Sequence, residues 1–324
     1  MSEQPADRDY LTRAKKITDA LDRMYVPLPA SEEALTLLRE SMLMSTPGLP
    51  QWNICLIGPS GAGKSYLIAR FEEEMRQRFC AEFPDAIPVL IVETPEDPTL
   101  DRMADQVLIA CQDEFAGMGR FRDKMARLPL ALELRRVGFI FFDEFHHIFD
   151  GKTPRQHRLA AQWLKALHNL KRWPIGLVGL EIILDYVKSS PELKRRFQRH
   201  KILPFYSLAE KSDVAVLIGM LDRIAALLPQ APDAKLGTDH MLQRVWLGSL
   251  GSPDTMFWLA KKAVVVAFRE DADQVSLDHW ASAFKELQSD ASRSMPVVNS
   301  FALSASALSQ QVVRVLDALP PKRG

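Results

Sequence analysis

The sequence predicts an α/β fold, a parallel five-stranded sheet flanked by helices, with a small C-terminal all-helical domain after it. Three observations predict it. From residue 51 to residue 206, short apolar runs alternate with amphipathic helical stretches, the pattern of strands joined by crossover helices. After residue 207 the strand signals stop and only helical periodicity continues. Between the first strand and first helix of the alternating region lies a glycine-rich connection, Gly58-Pro59-Ser60-Gly61-Ala62-Gly63-Lys64-Ser65.

Taken in order, residues 8–24 are polar and charged with apolar positions at Leu11, Ile17, Leu21 and Met24. Residues 31–43 open on a capping signal, Ser31-Glu32-Glu33, and carry Leu35, Leu37, Leu38 and Leu43. Prolines 27, 29, 47 and 50 punctuate both, so residues 1–50 read as a two-helix appendage. The core, residues 51–206, holds strands at 54–57, 88–92, 138–142, 175–178 and 201–203. Its helices are expected at 64–79, 100–115, 122–135, 154–170 and 181–187. The helical domain, residues 207–289, has helices at 213–227, 239–247, 253–269 and 277–287. Residues 290–324, rich in Ser and Ala and ending Pro-Pro-Lys-Arg-Gly, read as a mobile tail with one amphipathic piece at 312–319. No internal repeat is visible.

Composition excludes several classes. At 324 residues, 47% hydrophobic and 25% charged, the chain is an ordinary globular protein long enough for about two domains. Lysine plus arginine and aspartate plus glutamate balance at 41 each, so net charge signals no polyanionic partner. The three cysteines lack metal spacing, and Cys55, inside an apolar run, reads as a packed thiol. The polar N-terminus has no signal core, and no apolar stretch approaches the roughly 18 residues that span a bilayer. A cytoplasmic protein with no membrane partner is expected.

The glycine-rich connection satisfies the phosphate-loop pattern G-x-x-x-x-G-K-[ST] at every fixed position. Glycines let the backbone curl so that successive N–H groups face a phosphate chain, and the helix N-terminus adds partial positive charge. Residues Gly58 to Ser65, with Tyr66 beyond them, are the expected nucleotide-binding stretch. Lys64 would reach the terminal phosphates, and the Ser65 hydroxyl would ligate Mg²⁺.

A second apolar run, Val137-Gly138-Phe139-Ile140-Phe141-Phe142, ends in two acids, Asp143 and Glu144. At that strand end Asp143 would hold Mg²⁺ and Glu144 would polarise the attacking water as general base. A small-molecule kinase needs no such glutamate, so the pair points to an NTP hydrolase. His146 and His147 follow directly; with no third ligand evident in the sequence, packing or polar tuning is expected of them rather than metal binding.

Loop, acid-tipped strand and helical domain together resemble the AAA+ ATPases, in which a helical lid packs over the nucleotide. The resemblance implies ATP and Mg²⁺ as cofactors and ATP hydrolysis as the reaction. It places a polar sensor at the end of the fourth core strand, where this chain reads Val178-Gly179-Leu180-Glu181. Leu180 cannot hydrogen-bond through its side chain, which implies slow hydrolysis. It also implies an arginine acting on a neighbouring subunit's site. Within Pro191-Glu192-Leu193-Lys194-Arg195-Arg196-Phe197, Arg196 is favoured over Arg195. The lid helix beginning Gly251-Ser252-Pro253 lacks a typical sensor arginine, leaving Lys261 or Lys262 as substitutes.

A narrower resemblance rests on Asp143-Glu144-Phe145-His146-His147-Ile148-Phe149, on Leu164 to Lys171, on Pro174 to Gly179, on Val92-Glu93-Thr94-Pro95 and on Leu203-Pro204-Phe205. These are similar to the TniB family of transposon-encoded AAA+ ATPases, relatives of the TnsC and MuB regulators, over roughly residues 10–270. Membership implies ATP-dependent assembly on double-stranded DNA as a ring or helical filament, which recruits a transposase and a TniQ-type protein. Phe205 stands where the family usually shows Arg-Trp.

Charge distribution bears on DNA more than total charge does. Residues 151–180 contain no acid but hold Lys152, Arg155, Arg158, Lys165, Lys171 and Arg172. Residues 193–209 are also acid-free, and Arg120, Arg122, Lys124 and Arg127 form a third cluster. Arg120, Arg122, Lys124, Lys152, Arg155 and Arg158 are the candidate DNA contacts, suited to phosphates rather than bases. Solvated helix faces or contacts between subunits are the alternative for each cluster. A helicase loader or replication-initiator-like ATPase, or a protein-binding signalling ATPase without nucleic acid, are the other functional readings.

Overall fold

The computed structural model describes residues 5–44, 51–95, 98–149, 154–170, 173–289 and 298–319. The chain divides into two compact units, Pro29–Pro204 and Met1–Leu28 with Phe205–Gly324. Two helices precede the first strand, α1 (Pro5–Arg23) and α2 (Pro29–Leu43), and each joins a different unit.

The sheet unit continues from α2 through β1 (Ile54–Ile57), α3 (Lys64–Phe79), β2 (Val89–Glu93), α4 (Leu100–Ala110), α5 (Phe121–Leu134) and β3 (Phe139–Asp143). It closes with α6 (Pro154–His168), β4 (Ile175–Gly179), α7 (Ile182–Ser189), α8 (Pro191–Arg196) and β5 (Arg199–Ile202). The five strands pair in parallel in the order β2-β3-β4-β1-β5. The register sets Ile57 beside Gly179 and Ile202, and Glu93 beside Asp143, so the strands' carboxyl ends gather on one edge of the sheet. That edge is where ligands bind in open α/β sheets.

Both faces of β3 are buried, which explains its unbroken apolar run. Phe139 and Phe141 stack at 4.4 Å and meet the edge of Phe71 from α3 at 6.2 Å. Residues 140 and 142 face the opposite layer, where Phe142 meets Phe145 and Trp163. Space for the stack comes from Gly176, whose Cβ would lie 2.3 Å from the Phe141 ring. α3 buries Leu67, Ile68, Phe71 and Met75, a single stripe at helical spacing. Arg39 of α2 grips Glu74 of α3 through two bonds of 2.8 and 2.7 Å.

α4 stops at Ala110 instead of continuing to 115, because Gln112 turns left-handed (φ 57°) and the Asp113 amide closes back on the Leu108 carbonyl. α5 carries Pro129 within it.

The helical unit comprises α1, α9 (Lys211–Ala225), α10 (Asp239–Ser249), α11 (Pro253–Arg269), α12 (Leu277–Gln288) and α13 (Ala305–Ala318). α1 lies on α11, with Asp22 paired to Lys261 at 2.6 Å and Arg13 reaching Asp273 at 3.0 Å. The stretch expected to be a mobile tail contains ordered structure. Phe301 stacks on Trp280 at 5.4 Å, and Leu308 and Val312 of α13 are buried. Arg244 of α10 donates to the carbonyls of Ser300 and Leu303, and Ser300 Oγ donates back to the Arg244 carbonyl at 2.8 Å. The Ser/Ala-rich composition conceals this, since a few spaced apolar residues suffice to anchor a helix on an existing core. Residues 290–297 and 320–324 lie outside the described residues. Among the described residues no helix is long and apolar enough to cross a membrane.

Candidate active site

The loop from Gly58 to Ser65 leaves β1 and enters α3 at the carboxyl edge of the sheet. Its first amide, on Gly58, donates to the Gly179 carbonyl at 3.1 Å, and the Leu203 amide donates to the Ile57 carbonyl at 2.7 Å. The loop is thereby hung between the ends of β4 and β5. Gly61 and Gly63 take φ values of 80° and 89°, a region that side-chain-bearing residues rarely occupy. Gly63 is the N-cap of α3, and this helix start has neither a side-chain cap nor an acid in its first turn. Such an open helix N-terminus fits an anion.

Lys64 is 5% exposed, and its ammonium donates to the carbonyls of Gly58 and Pro59, both at 2.9 Å. Burial lowers its pKa, and the opposing pull of Glu144 and then Asp143 holds the charge in place. The two acids of β3 and the loop lysine therefore share one electrostatic site. Ser65 and Tyr66 are exposed beside it.

Asp143 closes β3, half-buried, and its Oδ1 accepts from the Glu144 amide at 2.9 Å. Glu144 adopts a left-handed conformation, φ 50° and ψ 34°, and turns the chain into a single 3-10 turn, Phe145–Ile148. For a glutamate this backbone is uncommon and is kept by its surroundings. Phe145 and Ile148 anchor the turn in the core. The turn brings His146 Nδ1 to 3.0 Å from Glu144 Oε2 and the two imidazole rings to 4.5 Å. A third group that could donate to a metal beside the histidine pair, not evident in the sequence, is Glu144 itself.

Two residues at the strand ends, one on each edge of the sheet, were not singled out from sequence for a role. Asn53, 1% exposed ahead of β1, accepts from the Ile175 amide at 2.9 Å and donates to the Arg196 carbonyl at 3.2 Å. It ties the starts of β1 and β4 to the end of α8. A lone Asn within the apolar run Trp52-Asn53-Ile54 was the available signal. Thr94, 2% exposed just beyond β2, donates its amide to the Asp143 carbonyl at 3.0 Å. Its hydroxyl has no hydrogen-bond partner among the described residues.

At the end of β4, Leu180 is half-buried and follows Gly179, whose Cβ would stand 3.0 Å from His146 Nδ1. The polar side chain beside Gly179 is that of His146. On α8, Arg196 turns back on its own helix, donating to the Glu192 carbonyl at 3.1 Å with its side chain 19% exposed, whereas Arg195 is exposed. Lys262 pairs with Glu286 at 3.0 Å, so both sensor substitutes, Lys261 and Lys262, are engaged within the helical unit.

The profile of the family described as "Bacterial TniB protein" matches residues 16–207, more than half of the chain. The chain belongs to the TniB family. No curated protein matches it. Among solved structures, the Aeropyrum pernix ORC1 protein in complex with DNA is 18% identical, with a TM-score of 0.63 over 94% of this chain and 82% of that one. The Aeropyrum pernix ORC2 protein (ADPNP-ADP complexes) is also 18% identical, with 0.62 over 94% and 85%. Cdc6p from Pyrobaculum aerophilum is 15% identical, with 0.54 over 83% and 70%. At these identities the likeness establishes the fold, an AAA+ ATPase fold with its helical C-terminal region.

The basic clusters of this TniB-family chain differ in exposure. Arg120 and Arg122 are exposed. Lys124 is not: it is 2% exposed and its ammonium sits 2.7 Å from both Asp101 and Asp105, which corrects its place among candidate DNA contacts. Arg158 is exposed, Lys152 lies outside the described residues, and Arg155 lies on α6. Lys165 pairs with Glu192, and Lys201 with Glu33. Arg199 stacks over Trp52 at 3.4 Å.

Proposed function

We propose that this TniB-family protein is an ATPase that assembles on duplex DNA when loaded with ATP, regulates transposition by recruiting a transposase and a TniQ-type partner, and leaves the DNA after hydrolysis. The arrangement that carries the hydrolytic part is the placement of the loop bearing Lys64, which leaves β1, and of Asp143 and Glu144, which end β3, at the same carboxyl edge of the sheet, where the two acids oppose the lowering of the lysine's pKa by burial. The regulatory part rests on the family, and the DNA part on the exposed Arg120, Arg122 and Arg158.

In this reading the loop residues Gly58 to Ser65 and Tyr66 hold the triphosphate. The open start of α3 supplies amide donors, and Lys64 leaves the Gly58 and Pro59 carbonyls for phosphate oxygens. Ser65 and Asp143 would hold Mg²⁺, which supplies neutralisation of phosphate charge when bound. Glu144 takes the proton of the attacking water. An α8 arginine completes a neighbour's site, and exposure favours Arg195 over Arg196. A leucine at position 180 suits a slow timer better than a motor. Assembly as a ring or a filament is a population shift in which ATP favours the associated state.

Glu144→Gln tests the scheme, with ATP affinity by a fluorescent analogue, turnover by phosphate release, and DNA residence by anisotropy. The expected outcome is unchanged ATP binding, turnover lowered by about 10²-fold or more, and a complex that persists on DNA. A variant that dissociates as fast as wild type defeats the switch. Absence of any ATP-dependent duplex binding at low salt favours the protein-binding signalling alternative.

A further inference from the structure

The candidate ATP site uses Glu144 but leaves His146 and His147 without a chemical role. Glu144 starts the 3-10 turn Phe145–Ile148, and both imidazoles of the turn lie near the carboxylate that precedes them. One ligand atom each from Glu144, His146 and His147 lie within 4.8 Å of one another. Glu144 Oε2 and His146 Nδ1 are already 3.0 Å apart, and the His146 side chain is 11% exposed. Gly179 keeps the space beside His146 Nδ1 open, since any Cβ there would stand 3.0 Å from that nitrogen.

Two imidazoles and one carboxylate are a donor set for a borderline divalent transition ion, and a poor one for Mg²⁺, which selects oxygen. Zinc–nitrogen bonds of about 2.0–2.1 Å in a tetrahedron place ligand atoms roughly 3.3 Å apart. The observed separations, 4.8 Å at most, lie within about 1.5 Å of that value. We propose that Glu144, His146 and His147 form a binding site for Zn²⁺ or a like transition ion, with the fourth position left to water. Occupancy draws the Glu144 carboxylate onto the metal and removes it from service as a base, so the ion arrests hydrolysis while the phosphate loop remains free to hold ATP. The arrest rests on Glu144 being the base in the proposed function; the binding of the ion does not.

The test uses the full-length protein, freed of metal by chelator dialysis and titrated with Zn²⁺ against a chromophoric chelator without nucleotide. Wild type should bind one Zn²⁺ per chain. His147→Ala, half-buried and the milder replacement, should weaken binding by at least about tenfold, since losing a direct ligand costs no less than losing a supporting one. Glu144→Gln should weaken it likewise. Co²⁺ substitution should give d–d bands without a thiolate charge-transfer band, which excludes Cys80 as the ligand. With ATP and Mg²⁺ saturating, equimolar Zn²⁺ should lower wild-type turnover at least about tenfold, reversibly by chelator, at unchanged ATP affinity. The ratio of rates with and without Zn²⁺ should approach one in His147→Ala. No stoichiometric Zn²⁺ binding, or equal binding by wild type and His147→Ala, overturns the inference and leaves a Glu144–His146 side-chain contact without a metal role. Tight Zn²⁺ binding beside undiminished hydrolysis by Glu144→Gln would instead overturn the assignment of the base and leave the metal site standing.

Discussion

A Cβ on Gly58 would stand 2.3 Å from the carbonyl oxygen of Leu203, so the first residue of the loop is pinned where β5 runs out. Its own amide is held by Gly179 at the end of β4. The loop's shape is thus set by two strands that are remote in sequence, and a single methyl group is enough to disturb it.

Gly58→Ala should therefore abolish nucleotide binding without unfolding the sheet, because the overlap is with backbone and can be relieved only by moving the loop. A fluorescent ATP analogue and far-ultraviolet circular dichroism together check this. Retained affinity would mean that the loop has room that the close approach denies.

Arg195→Ala and Arg196→Ala separate the two arginines of α8. With Arg195 exposed and Arg196 turned back on Glu192, the first substitution should lower DNA-stimulated turnover by between about tenfold and 10³-fold, the range below a full arginine-finger effect. The second should have the smaller effect. ATP affinity at concentrations too low for assembly should be unchanged in both. The reverse order would show that Arg196 releases Glu192 when subunits meet.

Lys124→Met and Arg122→Ala should fail differently. The first removes a buried ammonium from between Asp101 and Asp105, so it should lower the thermal midpoint and leave duplex affinity of the folded protein unchanged. The second should leave the midpoint in place and reduce the slope of log affinity against log salt by about one. Differential scanning fluorimetry and anisotropy titrations at three salt concentrations decide between them.

The thiols should differ in reactivity. Burial pushes Cys55 and Cys111 up from 9.0 to about 12, while Cys80 is half-buried and its thiol donates to the Ala86 carbonyl. At pH 8 Cys80 alone should react quickly with a disulfide reagent, the buried pair holding roughly 10³-fold less thiolate than free thiols. Because their folded pKa values are raised, the stability these thiols contribute is complete below pH 9.0 and is lost as pH climbs toward about 12. Rapid reaction of all three at pH 8 would contradict the packing.

The alternating pattern, the glycine loop and the acid pair were legible before any coordinates, because each is a local signal. A loop that curls needs glycines nearby, a doubly buried strand such as β3 needs an apolar run, and Asp143-Glu144 sit next to each other in the chain. What a composition window averages away was lost, as with the spaced apolar residues that anchor Phe301 and α13. Lys124 reads as one more surface cation until α4 presents Asp101 and Asp105 to it.

By itself, then, the sequence determined the fold class, the family and the chemical types available at the loop and the β3 end. Only the tertiary structure decided which of those groups meet. It hung Gly58 between β4 and β5, set Lys64 against both acids, withdrew Lys124 from solvent and folded His146 back onto Glu144. The reason is physical: propensity and periodicity act over a few residues, whereas charge pairing and close approach depend on distances that chain separation does not encode.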